Sequence, residues 1–143
     1  MTSVIPPPAV GNLRDPARVN ATERTAREVL AELQDCVAAK DLGGLGQLMD
    51  DDVALFGTAS ANLDRDHTMA YLRRVLAQQG VIRWEWDRIR SLVSEPDFLC
   101  FAAVGTVGLE GDDRQPFRLT CVAVADEGRW RLRHFHGSVP EAE

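Results

Sequence analysis

Lysine is almost missing from this chain. Lys40 is the only one among 16 basic residues, and the others are arginines scattered along the sequence. With a formal net charge of −6 there is no basic stripe, which argues against a nucleic-acid partner. The arginine-for-lysine, alanine-rich bias reads as genomic base composition rather than function. No apolar run approaches the roughly 20 residues of a membrane span, and no basic segment followed by an apolar one marks the N-terminus as a signal peptide. A cytoplasmic protein without membrane contact is therefore expected. Cysteine is sparse and odd in number: Cys36, Cys100 and Cys121 match no metal-binding spacing. Each sits in an apolar stretch without a basic neighbour, as buried, unreactive thiols in a reducing compartment do. Internal repeats are absent. Asp50-Asp51-Asp52 lacks the alternating oxygen ligands and central glycine of a calcium loop and reads as a solvated turn. No metal and no cofactor are expected.

A chain of 143 residues is one domain by default and buries roughly two-thirds of its unfolded surface. Residues 1–19, with Pro6-Pro7-Pro8 and Pro16, read as a flexible or extended arm, free or packed across a partner subunit. Residues 20–143 form the domain. Asn20 and Glu23 have capping-box spacing and predict a helix start. Ala26, Val29, Leu30, Leu33 and Val37 then repeat with a helical period and make one apolar stripe. A short second helix is expected over Leu42–Met49, then a short strand at Val53–Phe56. A third helix follows, capped by Asp66 and ending at Gly80, with Met69, Leu72, Val75 and Leu76 inward.

The rest of the chain reads as strand. Val81–Ser94, Phe98–Leu109, Pro116–Asp126 and Arg129–Val139 are rich in β-branched and aromatic residues. Their breaks, at Glu95-Pro96-Asp97, Glu110–Asp113 and Glu127-Gly128, are short turn sequences, which implies antiparallel hairpins. Helices followed by a meander give an α+β domain.

The order of elements resembles the SnoaL-like superfamily, which includes ketosteroid isomerases and nuclear-transport-factor-like proteins. Two segments carry the resemblance: Asp52-Val-Ala-Leu-Phe-Gly-Thr58, similar to the family's first strand and exit turn, and Trp130-Arg-Leu-Arg-His-Phe-His-Gly-Ser-Val-Pro140, similar to its last strand. One departure is visible, since Asp64-Arg65 stands where the family often has glycine before the third helix. The resemblance implies a cone-shaped fold in which a curved antiparallel sheet wraps around N-terminal helices and encloses a pocket. It also implies a homodimer through the convex sheet face. It implies no particular reaction, because the superfamily spans isomerases, cyclases, dehydratases, epoxide hydrolases and proteins without known chemistry.

Strand alternation places Trp130, Leu132, His134, His136 and Ser138 on one face of the last strand and Arg131, Arg133, Phe135, Gly137 and Val139 on the other. The first set is expected to face the pocket and the second the partner. His134 and His136, about 7 Å apart at Cα, admit three readings: structural imidazoles, an acid/base or orienting pair, or two of the three ligands that a zinc site needs. Tyr71 is a candidate donor. Phe56, Trp84, Trp86, Trp130 and Ser138 are candidate ligand-binding residues, with Trp84 and Trp86 lining either the pocket or the dimer sheet. If the tryptophans pointed outward, Glu85 and Asp87 would point in and strengthen a case for acid–base chemistry. The expected function is binding of a small, largely apolar molecule, with isomerase-, cyclase- or hydration-type catalysis through His134, His136 and Tyr71 open. The rival is a non-catalytic binding, dimerisation or association module whose pocket its own side chains fill.

Overall fold

The computed structural model describes residues 16–140. The elements run α1 (Pro16–Ala38), α2 (Leu42–Leu48), β1 (Met49–Phe56), β2 (Ala61–Asn62), α3 (Arg65–Ala77), β3 (Ile82–Glu95), β4 (Phe98–Leu109), β5 (Gln115–Asp126) and β6 (Arg129–Ser138).

Helix α1 begins at Pro16 rather than at Asn20. Proline suits the first helical turn, where its missing N–H has no partner to lose. The last residues assigned to the arm are thus helical, and residues 1–15 lie outside the described residues. The expected stripe is the buried one: Ala26, Val29, Leu30, Leu33 and Val37 are at most 5% exposed. Helix α2 is capped by the Asp41 carboxylate, which accepts from the Gly44 N–H. Helix α3 is capped by Asp64, not Asp66. Arg65 donates to the carbonyls of Met49 and Gly46, tying the start of α3 to the α2–β1 junction. The dipeptide that replaces the customary glycine thus supplies a cap and a clamp.

The six strands form one sheet in the order β2-β1-β6-β5-β4-β3. The β3–β6 meander is antiparallel, β1 runs parallel to β6, and the two-residue β2 closes the edge. Turn chemistry located the meander within a residue or two. At the β5–β6 hairpin, Glu127 (φ 53°) and Gly128 (φ 80°) both adopt positive φ, the geometry of a type I′ turn between twisted strands. The inner face carries Phe101, Ala103, Leu119, Cys121, Ala123 and Leu132, packed against the α1 stripe and α2 as the main core.

Bulges set which side chains face that core. In β6, Leu132 pairs with Ala123 and His134 with Val122, so Arg133 is an extra residue without a cross-strand partner. A bulge of one residue reverses the alternation beyond it. Phe135 then lies opposite buried Cys121 and Gly137 opposite buried Leu119, whereas His136 lies opposite exposed Thr120. The face expected for the second half of this strand is therefore corrected: Leu132, Phe135, Gly137 and Val139 look inward, and His134, His136 and Ser138 look outward. Strand β3 has comparable irregularities around Asp87 and Leu92.

Candidate functional site

A cavity of about 200 Å³ opens between α1, α3 and the inner face of the sheet. Leu33 and Val37 supply its α1 side, and the same residues belong to the core stripe. Tyr71, Leu72 and Val75 enter from α3, and Leu55, Gly57 and Thr58 from the end of β1. The sheet contributes Ile82, Trp84, Val107, Phe117, Phe135 and Val139. Not one lining residue carries a charge or an imidazole, and the side-chain hydroxyls are those of Tyr71 and Thr58.

Two glycines make the shape possible. A Cβ on Gly57 would stand 2.6 Å from the Tyr71 hydroxyl, so the bare backbone there lets the phenol approach the β1–β2 loop. A Cβ on Gly137 would overlap the ring of Phe117, which uses that space to form part of the wall. Trp84 is fixed from both sides. Its backbone N–H donates to Gln34 Oε1 (2.8 Å) while Gln34 Nε2 donates to the Ile82 carbonyl (2.9 Å), joining β3 to α1. Its ring meets Phe135 edge-on at 6.3 Å between centroids. The indole Nε1 is buried without a hydrogen-bond partner among the described residues. The Arg74 guanidinium sits 6.0 Å from the Tyr71 ring centroid on the exposed side of α3.

Of the candidate residues from the sequence, Tyr71 and Trp84 meet at this cavity. Trp86 faces inward beside it and packs on Phe117 at 6.0 Å. The tryptophans therefore occupy the inner face and the acids the outer one: Glu85 pairs with Arg114 at 3.2 Å, and Asp87 is exposed. Trp130 lies elsewhere, in shallow depressions beside Thr25 of α1. His134, His136 and Phe56 form a separate group on the outer face. Nδ1 of His134 donates to the Ala54 carbonyl (2.8 Å), and Phe56 presents T-shaped contacts to both imidazoles at 5.3 Å. Ser138 accepts from Arg118 Nε at 2.8 Å. Among the described residues no group of three potential metal ligands comes together. Leu55, Thr58, Val107, Phe117, Phe135 and Val139 were not singled out from the sequence. The regular spacing of Phe135, Gly137 and Val139 was visible, but only the bulge reveals its direction.

The titratable groups with perturbed behaviour stand apart from the cavity. Burial pushes the Cys121, Cys100 and Cys36 thiols above their ordinary range, Cys121 furthest. Asp64 is held below 3.8, first by the His67 backbone N–H and then by the His67 ring.

Residues 26–142 match the model of the SnoaL-like domain. The chain belongs to the SnoaL-like domain family. Its solved neighbours within the wider NTF2-like group share the fold at low identity. An NTF2-like protein of unknown function from Pseudomonas putida KT2440 is 19% identical with a TM-score of 0.71, the match covering 86% of this chain and 89% of that one. A protein from Streptomyces avermitilis, provisionally described as a dehydratase of the NTF2-like family, is 14% identical with a TM-score of 0.72, covering 86% and 99%. One from Shewanella frigidimarina NCIMB 400, provisionally described as a ketosteroid isomerase, is 13% identical with a TM-score of 0.63, covering 78% and 92%. Comparison with curated proteins finds no match. No helix among the described residues is long and apolar enough to cross a membrane.

Proposed function

We propose that this SnoaL-like domain binds a small, largely apolar molecule in the cavity between α1, α3 and the sheet. The observation that carries the reading is the lining, which combines aromatic and aliphatic walls with two hydroxyls and no charge. Ligand sites are typically apolar with a few placed polar groups. Acid–base catalysis of isomerase, cyclase or hydration type is the second reading, and Tyr71 favours it as a protic side chain at the cavity. Under either reading the work falls to Tyr71 and Trp84. His134 and His136, on the outer face, suit the structural role weighed for them above.

The same reading makes the protein a cytoplasmic homodimer joined through the outer sheet face. Val104, opposite Arg88 on that face, is 49% exposed. Native mass spectrometry of freshly purified protein tests both parts. A dimer retaining a small organic molecule supports the reading. A monomer at micromolar concentration overturns the dimer. Binding is overturned if no molecule is retained and apolar probes also leave the Trp84 signal unchanged.

A further inference from the structure

We infer that His134 and His136 form half of a metal site that a second copy of this chain completes, with four imidazoles around one divalent cation of the zinc class. The inference rests on the dimer reading of the outer sheet face and adds what joins the two copies there.

The half-site is visible in one chain. His134 and His136 stand on the outer face of β6 with ring centroids 6.2 Å apart. The His134 Nδ1–H is spent on the Ala54 carbonyl at 2.8 Å. That bond fixes the tautomer in which Nε2 carries the free lone pair, and a carbonyl on the far nitrogen is how metal-ligating imidazoles are commonly held. His136 is exposed and has no hydrogen-bond partner among the described residues. Its ring is free to turn toward the roughly 2.0–2.1 Å of a zinc–imidazole bond. Phe56 meets both rings edge-on at 5.3 Å and flanks the pair with an apolar wall. Of the cations nearby, Arg133 pairs with Asp50 at 3.7 Å and Arg118 Nε is held by Ser138.

One chain does not finish the site. No third histidine, cysteine or carboxylate joins the pair among the described residues, whereas zinc takes three protein ligands at least and four in structural sites. A twofold contact supplies the missing two, because groups at its axis meet their own copies. The sheet order β2-β1-β6-β5-β4-β3 puts β6 beside the middle of the face, where the axis of a contact covering the whole face passes. Imidazole favours zinc, copper and nickel over the hard cations that prefer oxygen.

Sedimentation velocity of the full chain in EDTA, Zn2+ or Mg2+ tests the inference, with native mass spectrometry for the stoichiometry. Zn2+ should tighten the dimer about 100-fold when its free concentration is about 100 times its dissociation constant, as binding to the dimer alone requires. One ion should be held per two chains, and Mg2+ should have no effect. His136→Gln, which removes a ligand and leaves the His134–Ala54 bond in place, should abolish the Zn2+ effect. A wild-type dimer that Zn2+ does not tighten overturns the inference and leaves the dimer reading standing. So does one ion per chain, or a Zn2+ effect that survives in His136→Gln. A chain that stays monomeric at micromolar concentration in EDTA and in Zn2+ overturns the dimer reading and the inference together. The wild-type comparison of EDTA with Zn2+ decides the matter even where the variant folds poorly.

Discussion

The two faces of the sheet are built from the same strands and have opposite chemistry. Around β6 the inner face presents Leu132, Phe135 and Val139 to the core and cavity. Its outer face presents His134, His136 and Ser138, with Phe56 of β1 and Arg118 of β5 beside them. Both imidazoles proposed for catalysis from the strand alternation lie on the outer face, and the cavity is lined by neither. The difference comes from one extra residue, Arg133. What a strand offers to a pocket is set by its phase, and a bulge changes the phase without leaving a mark in residue type.

Deletion of Phe135 is the severest way to break this comparison. Whether the strand keeps Arg133 as its extra residue or absorbs it, an imidazole, of His136 or of His134, then takes the inner place opposite Cys121. We expect a loss of more than about 4 kcal/mol in urea unfolding, the range reserved for changes that disrupt a core. Near wild-type stability would show that the inner face does not depend on the phase of this strand. Next in size is a pair of neighbouring truncations. Phe135→Ala, on the inner face, should cost about 3 kcal/mol because an aromatic wall is lost. His136→Ala, on the outer face of the monomer, should stay within about 0.5 kcal/mol. Comparable losses in guanidinium melts of the two would erase the contrast.

His134 sharpens it more finely. Its Nδ1–H bond to the Ala54 carbonyl joins β6 to β1, and His134→Ala should cost about 1 kcal/mol, as a lost hydrogen bond does. Probe affinity should not change, since the ring lies outside the cavity lining, and calorimetry of the variant checks this. The smallest effect belongs to the exposed cap of α3. Because Asp64 is held below 3.8 in the fold, its contribution is present above that value and is lost as the pH falls through the folded value. Asp64→Asn should remove that portion of the acid sensitivity while keeping an N-cap acceptor. A thermal-midpoint profile below pH 4, unchanged by the substitution, would show that the cap carries no such linkage.

Much of the fold was legible because the relevant signals are local. Ala26 through Val37 repeat with a helical period, and Glu95-Pro96-Asp97 and Glu127-Gly128 announce turns, so helix faces and strand ends followed. The two-residue β2 has no period to read. The start of α1 was hidden by Asn20 and Glu23, which imitate a cap inside a helix that Pro16 already begins. The site was legible in part for the same reason. Strand alternation put Trp84 and Trp86 on one face but left open whether that face was the pocket or the dimer sheet, and Tyr71 stood outside the inward stripe read for α3. Phe135 and Val139 lie past Arg133, and their direction depends on pairing with β5, a contact between residues distant in sequence.

The central claim is that small molecules bind on the inner face and not at the histidine pair. The most direct measurement is an NMR titration of the protein with 1-indanone, following the Trp84 indole, the Val107 and Val139 methyl groups, and the ring protons of His134 and His136. The account predicts saturable shifts at Trp84, Val107 and Val139 with both imidazoles unmoved. Shifts confined to His134, His136 and Phe56 would contradict it.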